Sequence, residues 1–266
     1  MELKQKQLNL ELELEYRMKK LIYIICIILM IACDSDSASD CFQTTGPIIQ
    51  KEIPISSFET ILVNRDIELI IIEGSDYKLM VETGENLIND VEAIVADNEL
   101  KLSDNNSCNY VRDYGITKIY VTAPNITSII SSTQYDISSD GILNFPNISL
   151  VSEDFNAPGS FTVGDFRLQI NSSRLNVVSN NISSFYISGQ VDDLSIGFFS
   201  GAGRFQGEDL LAENVAVYHR GSNDMIVNPQ ASLTGELRGT GNLISLNNPP
   251  VVEIAQLYTG QLIFEN

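Results

Sequence analysis

The stretch that decides the fold is residues 201–241, with the sequence GAGRFQGEDLLAENVAVYHRGSNDMIVNPQASLTGELRGTG. It contains glycine-rich turns at Gly201, Gly221 and Gly239, and a further turn follows at Gly260. The intervals between these four glycines are 20, 18 and 21 residues. Glycine, with Asn, Asp and Ser, tolerates the tight or left-handed backbone of turns. A turn that recurs at a near-constant interval between short apolar segments predicts a chain that coils and stacks on itself.

The same pattern begins earlier in the chain, where turn-forming residues occur at 139–141, 159–160 and 179–181. About three short strands fit between successive turns, with apolar pairs such as Leu194 and Ile196 at alternating positions. We therefore predict an all-β fold of the β-solenoid type, a parallel β-helix-like stack of short strands. A β-sandwich is the competing fold, but its turn signals recur about every 8–12 residues, so the longer spacing favours the solenoid.

The segment before these repeats is also rich in strand patterns. Ile67–Glu73 is mostly β-branched and ends at a Gly-Ser-Asp turn. We predict one β domain over residues 48–266, divided into a strand-rich N-terminal lobe at 48–122 and coil repeats at 123–266. Tryptophan is absent from the chain, and no long helical periodicity is found in it.

The N-terminus has the pattern of a signal peptide. Lys19 and Lys20 precede the apolar run Leu21–Ile31, which is short for a membrane span, and Ala32 and Cys33 follow it. The ending resembles a bacterial lipobox, which implies cleavage before Cys33 and lipidation of its thiol. The alternative is an uncleaved membrane anchor. We predict that residues 1–32 form the signal peptide, with the true start at Met18.

Residues 33–47 are predicted to be a lipidated acidic tether, because 34–40 are small and acidic residues without packing capacity. The run resembles the surface-export signal of Bacteroidetes lipoproteins; a plain spacer is the alternative. Removal of residues 1–32 takes five of the 16 basic and four of the 35 acidic residues, which leaves a net charge of −20. Such a chain repels nucleic acid and anionic headgroups, so membrane attachment requires the lipid.

The four cysteines have separate predicted roles. Cys26 lies in the signal peptide and Cys33 is the lipid site, which leaves Cys41 and Cys108 as an even pair in an oxidising compartment. A disulfide between them would join the start of the folded region to the end of its first lobe, and unpaired thiols are the alternative. No Cys-x-x-Cys motif suggests zinc or redox chemistry.

Several short motifs, specific in their order and spacing, cover about residues 53–264: Ser56–Ile61, Ile67–Ile71, Gly84–Ile88, Leu100–Leu102, Val121–Pro124, Gly239–Leu243 and Pro250. In these motifs the chain resembles the bacterial family described as putative auto-transporter adhesin, head GIN domain. The resemblance implies a β-helical, extracytoplasmic domain that is often lipid-anchored.

A β-helix enzyme that acts on polysaccharides is the sharpest alternative, since it would need clustered carboxylates with a His or Arg. A lone histidine beside a turn is more typical of a surface residue, and adjacent carboxylates on a strand point to opposite faces. We therefore predict no catalytic residue, no metal site and no cofactor. The candidates considered are Glu153-Asp154, Asp192-Asp193, Glu208-Asp209, Arg204, His219 and Arg220.

Aromatic residues are the candidates for a binding surface. Phe198-Phe199 is predicted to be core, with an exposed docking patch as the alternative. Tyrosines could contact a carbohydrate or a protein partner, although half-buried positions at coil edges explain most of them equally well. These tyrosines are Tyr77, Tyr110, Tyr114, Tyr120, Tyr135, Tyr186, Tyr218 and Tyr258.

Together these features predict an outer-membrane lipoprotein, at the cell surface or on the periplasmic face, that binds a glycan or an envelope protein without catalysis. The alternatives are the polysaccharide-active enzyme and a purely structural spacer.

Overall fold

The computed structural model describes residues 13, 15–25, 40–106, 108–155 and 159–265. Residues 13 and 15–25 are helical, and no helix among the described residues is long and apolar enough to cross a membrane. Asp40–Phe42 and Ile88–Asp90 form short 3-10 turns. The prediction of an all-β protein is confirmed, because the described residues contain one hydrogen-bonded sheet of 17 strands. The strands are β1 (Ile48–Glu52), β2 (Thr60–Val63), β3 (Ile67–Glu73), β4 (Lys78–Gly84), β5 (Val91–Ala96), β6 (Glu99–Asp104), β7 (Thr117–Ala123), β8 (Ser128–Ser131), β9 (Ile137–Leu143), β10 (Asn147–Ser152), β11 (Phe166–Ser179), β12 (Ser184–Phe198), β13 (Arg204–His219), β14 (Met225–Leu237), β15 (Leu243–Ser245), β16 (Val251–Gln256) and β17 (Leu262–Phe264).

The strands are arranged in two rows that share four long members. One row runs β1, β4, β7, β3 and β9, continues through the first halves of β11 to β14, and ends with β15 and β17. The other runs β5, β6, β2, β8 and β10, continues through the second halves of the same long strands, and ends with β16. Each of the four long strands therefore contributes to both rows.

Strands β11 to β14 are the repeating part of the molecule. Each pairs in parallel with the next, so that Leu175, Leu194, Val215 and Leu233 lie side by side on neighbouring strands. These positions are 19, 21 and 18 residues apart, close to the intervals between the turn glycines. The expectation of about three short strands per interval is not met. Each interval holds one strand of 13 to 16 residues, interrupted in β13 and β14 by shifts of register.

The core of the repeats consists of columns of buried side chains, in which each residue pairs with the next across neighbouring strands. Phe166, Phe185, Phe205, Met225 and Leu243 form one such column, and each is completely buried. The rings of Phe166 and Phe185 stack at 4.8 Å between centroids. Burial of each such side chain contributes about 1.5–3 kcal/mol, so the columns are the main source of cohesion between strands.

The alternation of buried and exposed residues breaks at two places in the long strands, one near the change of rows and one nearer the start of the strand. Val191 and Leu194 are buried, but Asp192 and Asp193 between them are both exposed. Residues 207–210 show the same order, with two exposed carboxylates between buried positions. The prediction that adjacent carboxylates point to opposite faces is wrong at these sites, because the two-residue alternation is interrupted there and both side chains are exposed.

Gly235 shows how closely neighbouring strands approach at one position. Its φ is +131°, and a Cβ atom there would lie 1.9 Å from the carbonyl oxygen of Val217 on the next strand. Only glycine combines this backbone conformation with this approach.

The N-terminal strands continue the same sheet. β3 pairs in parallel with both β7 and β9, so the sheet is unbroken across residue 123. β4 is antiparallel to β1 and β7, and β5 is antiparallel to β6. Cys41 and Cys108 form a disulfide with an S–S distance of 2.02 Å, which ties the chain before β1 to the loop after β6 across 67 residues.

Candidate binding face

The end of β12 carries an exposed aromatic residue. Phe198 is completely buried, whereas the next residue, Phe199, is 48% exposed. The prediction that the pair belongs to the core is confirmed for Phe198 and wrong for Phe199. The physical reason is the alternation of side chains along an extended chain, which sends consecutive residues to opposite faces.

Gly197 provides the seat for the Phe199 ring. A Cβ atom at Gly197 would lie 2.9 Å from a ring carbon of Phe199, so the ring folds back over the bare backbone of the sheet. Gly197 pairs with Tyr218 on β13, which places the tyrosine directly beside this seat. The rings of Phe199 and Tyr218 are 5.2 Å apart between centroids, with an interplanar angle of 31°. The exposed ring is therefore held in place before any ligand arrives.

Two arginines lie next to these rings. The backbone N–H of Arg220 donates to the carbonyl of Phe198, and that of Arg238 donates to the carbonyl of His219. These bonds place Phe199, Arg220 and Arg238 at equivalent positions just after β12, β13 and β14. Arg238 pairs with Glu236 at 2.5 Å, and its guanidinium carbon lies 5.9 Å from the centre of the Tyr218 ring. We call Phe199, Tyr218, Arg220, Glu236 and Arg238 the aromatic–arginine patch.

The charge of the patch differs from that of the chain. The whole chain has 35 acidic and 16 basic residues. Arg167 is paired with Asp136 and Asp165, and Arg174 lies 3.8 Å from Asp193. Arg220, in contrast, is exposed, and among the described residues its side chain has neither an ion pair nor a hydrogen bond. The patch thus presents an unneutralised guanidinium beside an exposed ring.

His219 has no exposed surface. The prediction of a surface histidine is wrong, because its register with Phe198 and Leu237 directs the ring inward. Its Nδ1 accepts a hydrogen bond from the N–H of Gly221 at 3.4 Å. Burial lowers the pKa of His219, and the backbone carbonyl of Asn223 and the carboxylate of Asp224 oppose that shift only in part. A buried neutral ring that is bonded to its own turn is a structural residue and has no access to a substrate.

The carboxylates considered for catalysis do not converge. Glu153 accepts a hydrogen bond from the N–H of Phe155, and Asp154 accepts one from Asn180, so both hold a loop. The pairs 192–193 and 208–209 are exposed on corners of the strands, and Arg204 is exposed at the start of β13. Over the described ranges, no three Asp, Glu, His or Cys side chains are grouped so that they could hold a metal ion.

The tyrosines divide into two groups. Of the eight considered, Tyr77, Tyr120, Tyr135 and Tyr218 are partly buried, and Tyr120 and Tyr218 lie within strands β7 and β13. The other four, Tyr110, Tyr114, Tyr186 and Tyr258, are 37–76% exposed. Tyr186 is covered on one side by the guanidinium of Arg167 at 4.1 Å, and Tyr110 contacts Phe42 near the disulfide.

A cavity of about 150 Å³ lies under the loop that follows β6. Two of its charged groups have structural partners. Asp104 accepts hydrogen bonds from Thr117 and Asn106, and Arg112 donates to the carbonyls of Gln43 and Asn106. The cavity is therefore a weaker candidate for ligand binding than the aromatic–arginine patch.

Cys33, the predicted lipid site, lies outside the described residues, as does Cys26. Of the patch, the sequence had singled out Phe199, Tyr218 and Arg220, but it had missed Gly197, Glu236 and Arg238. An Arg-Gly pair recurs at 220–221 and 238–239. This repeat is the sequence signal that could have predicted that the two arginines lie next to each other.

The chain is thus an all-β protein with an exposed aromatic and basic face. Residues 57–249 match the family described as "Putative auto-transporter adhesin, head GIN domain", and the chain belongs to this family. Membership favours a location in the cell envelope or at the cell surface and the binding of a surface partner. The comparison with curated proteins gave no match.

Solved structures share the fold. A crystal structure of a "putative adhesin" from Bacteroides fragilis NCTC 9343 superposes with a TM-score of 0.74 at 19% identity, covering 84% of this chain and 99% of that one. A "putative adhesin" from Parabacteroides merdae ATCC 43184 gives 0.57 at 15% identity, covering 83% and 98%. A "putative lipid binding protein" from Parabacteroides distasonis ATCC 8503 gives 0.55 at 16% identity, covering 84% and 99%. At these identities the likeness concerns the fold alone.

Proposed function

We propose that this protein is a cell-envelope lipoprotein that binds a surface partner through the outer face of a β-solenoid and performs no catalysis. The observation that carries the proposal is the aromatic–arginine patch, in which the Phe199 ring is 48% exposed yet fixed against Gly197 and Tyr218. An exposed ring that is already held in place offers a partner a preformed apolar contact at little cost in ordering. Membership of a family described as adhesins supports the same function.

The solenoid is supported by the length of the connections. β12 ends at Phe198 and β13 begins at Arg204, and the two strands are parallel neighbours. A straight strand of this length would span about 50 Å, but the five linking residues reach only about 20 Å. The chain must therefore bend back within each strand and wind once per repeat. We also propose the predicted division of the domain, with a lobe at 48–122, which contains the antiparallel pairings of the described sheet, and coils at 123–266.

A non-catalytic role is supported by the fate of the catalytic candidates. His219 is buried in the core, and the corner carboxylates are exposed and separate. A polysaccharide-cleaving site would need an acid and a base facing one groove. The spacer alternative predicts polar outer faces, which the exposed ring of Phe199 argues against.

For the anchor, we propose that residues 1–32 are a signal peptide, that Cys33 carries the lipid and that residues 33–47 tether the domain to the outer membrane. The disulfide between Cys41 and Cys108 supports an extracytoplasmic location, since disulfides persist in oxidising compartments. Cells fed labelled palmitate should incorporate label into the wild-type protein, and Cys33→Ala should abolish the label and release the protein from the membrane fraction. Retention of the label in Cys33→Ala would overturn the anchor.

The binding function is tested by adherence of cells to a mucin-coated surface, with shaving by an external protease to establish surface exposure. We expect adherence to fall when the gene is deleted and when Phe199→Ala replaces the wild type. Tyr114→Ala is the matched control, because Tyr114 is also an exposed aromatic residue but lies in the loop after β6. Equal adherence with and without the gene, or resistance to shaving on intact cells, would contradict the proposal.

A further inference from the structure

We propose that the aromatic–arginine patch binds an anionic glycan, a polysaccharide that carries carboxylate, sulfate or phosphate groups. This inference rests on the proposed binding function and names the ligand class of the same face. It follows from the aromatic platform, from the spacing of the arginines and from the charge of the surrounding surface.

The aromatic platform suits a sugar ring. The apolar C–H face of a pyranose packs against an aromatic ring, and the Phe199 ring lies against Gly197 with the Tyr218 ring 5.2 Å away between centroids. Because Gly197 leaves room for the ring and Tyr218 supports it, the platform exists before binding. Binding then costs little ordering of the side chain.

The arginines continue from this platform along the stacking direction. Phe199, Arg220 and Arg238 come directly after Phe198, His219 and Leu237, which pair with one another on β12, β13 and β14. Each of the three residues therefore lies one strand further along the stack than the one before it. Strands are about 4.8 Å apart, which places the two arginines about 5 and 10 Å from the phenylalanine along the stack. That progression matches successive units of an extended polysaccharide better than a single small molecule.

Charge decides between an acidic and a neutral sugar. Arg220 has an exposed side chain without a partner among the described residues, and Arg238 shares its charge only with Glu236. A guanidinium binds a carboxylate, sulfate or phosphate group through two parallel hydrogen bonds, which a neutral hydroxyl cannot match. The negative charge of the remaining surface is screened beyond about 8 Å at physiological salt, so contact at the patch is governed by the arginines.

The size of the patch favours a glycan over a folded protein partner. A stable protein interface buries about 800 Å² on each side and draws on some 20–30 residues. Here one exposed ring and two arginines adjoin turns made of glycine, alanine, serine and threonine at 200–203, 221–222 and 239–240. A narrow basic and aromatic strip of this kind fits a single sugar chain.

The test measures binding of the full-length, detergent-solubilised protein to dextran sulfate and to dextran, which share one backbone and differ in charge. We expect dextran sulfate to bind at least about tenfold more tightly than dextran. Phe199→Ala and Arg220→Ala should each weaken that binding about tenfold, which corresponds to about 1.4 kcal/mol.

Arg174→Ala is the matched control. It removes the same charge from the same row of strands, but Arg174 pairs with Asp193, four residues or about 13 Å before Gly197 on β12. An unchanged affinity in this variant, with circular dichroism unchanged in all three, supports the proposal. Equal losses for Arg174→Ala and Arg220→Ala, equal binding of both dextrans, or no binding of either would overturn it. If Phe199-dependent adherence to mucin persists in that case, and also after enzymatic removal of the sialic acid and sulfate groups of the mucin, the binding function stands and the ligand is of another class.

Discussion

The buried imidazole of His219 should make the stability of the protein depend on pH in a way that one substitution removes. His219 is the single histidine of the chain and has no exposed surface. It occupies the core position that Phe198 fills one strand earlier and Leu237 fills one strand later. We therefore choose His219→Leu, which places in β13 the residue that β14 already uses.

The expected size follows from proton linkage. Burial lowers the pKa of His219 in the folded protein, whereas the unfolded chain titrates near about 6.5. Between these two pKa values the unfolded state binds one more proton than the folded state, so the free energy of unfolding decreases as the pH falls below about 6.5. The slope reaches at most about 1.4 kcal/mol per pH unit, or about 2 kcal/mol between pH 6.5 and 5.

The assay is urea denaturation of wild type and His219→Leu at pH 7.5, 6.5, 5.8 and 5.0. We expect the wild type to lose stability across this series and the variant to lose much less, because carboxylates contribute mainly at lower pH. His219→Asn, which keeps a hydrogen-bond acceptor for Gly221 but does not titrate, should behave like His219→Leu. The same pH slope in all three proteins would refute the burial argument.

Three further predictions concern the fold, each read as the free energy of unfolding from denaturant titration. Replacing Cys41 and Cys108 by serine should cost about 4 kcal/mol, because the bond closes a loop of 67 residues, and wild type with a reductant should lose the same amount; no change on reduction would contradict this. Gly235→Ala should cost more than about 3 kcal/mol, because its Cβ would meet the carbonyl of Val217. Gly141 also has a positive φ but open space around it, so Gly141→Ala should cost only about 1–2 kcal/mol. Equal costs for the two variants would contradict the close contact between strands at Gly235. Phe185→Ala should cost about 3–5 kcal/mol from the loss of its stacked, buried ring, and a cost below 1 kcal/mol would refute the core assignment.

The spacing of the turn glycines was the strongest predictor in the sequence. It anticipated the parallel pairing of β12, β13 and β14, because a repeat of fixed length returns equivalent residues to neighbouring strands. It did not reveal that each interval is a single long strand. Turn residues mark where the chain reverses, whereas a bend inside a strand needs only a short change of register, as between Gln206 and Leu211.

The face of a residue near such bends could not be predicted from a two-residue period. His219 and Arg220 follow that period, since one is buried and the other exposed, but the period alone does not say which of the two faces the core. Asp192 and Asp193 are both exposed, because a corner between buried neighbours breaks the alternation. Assigning these faces requires the position of each corner, and the sequence carries no separate signal for it.

The patch was only partly predictable for a related reason. An exposed Phe or Tyr surface followed from the composition, but the seat at Gly197 depends on the pairing of that glycine with Tyr218. The proximity of Arg220 and Arg238 depends on strand register in the same way. Register is a property of the assembled sheet, so these neighbours emerge only when the strands are in place.

The most direct test of the binding face is hydrogen–deuterium exchange of the full-length protein with and without dextran sulfate. We predict that protection on binding is confined to peptides covering 197–201, 218–221 and 236–239, and that Phe199→Ala removes it while Tyr114→Ala does not. Protection centred on the loop after β6, or on the corner carboxylates at 192–193 and 208–209, would contradict the assignment of the aromatic–arginine patch as the binding site.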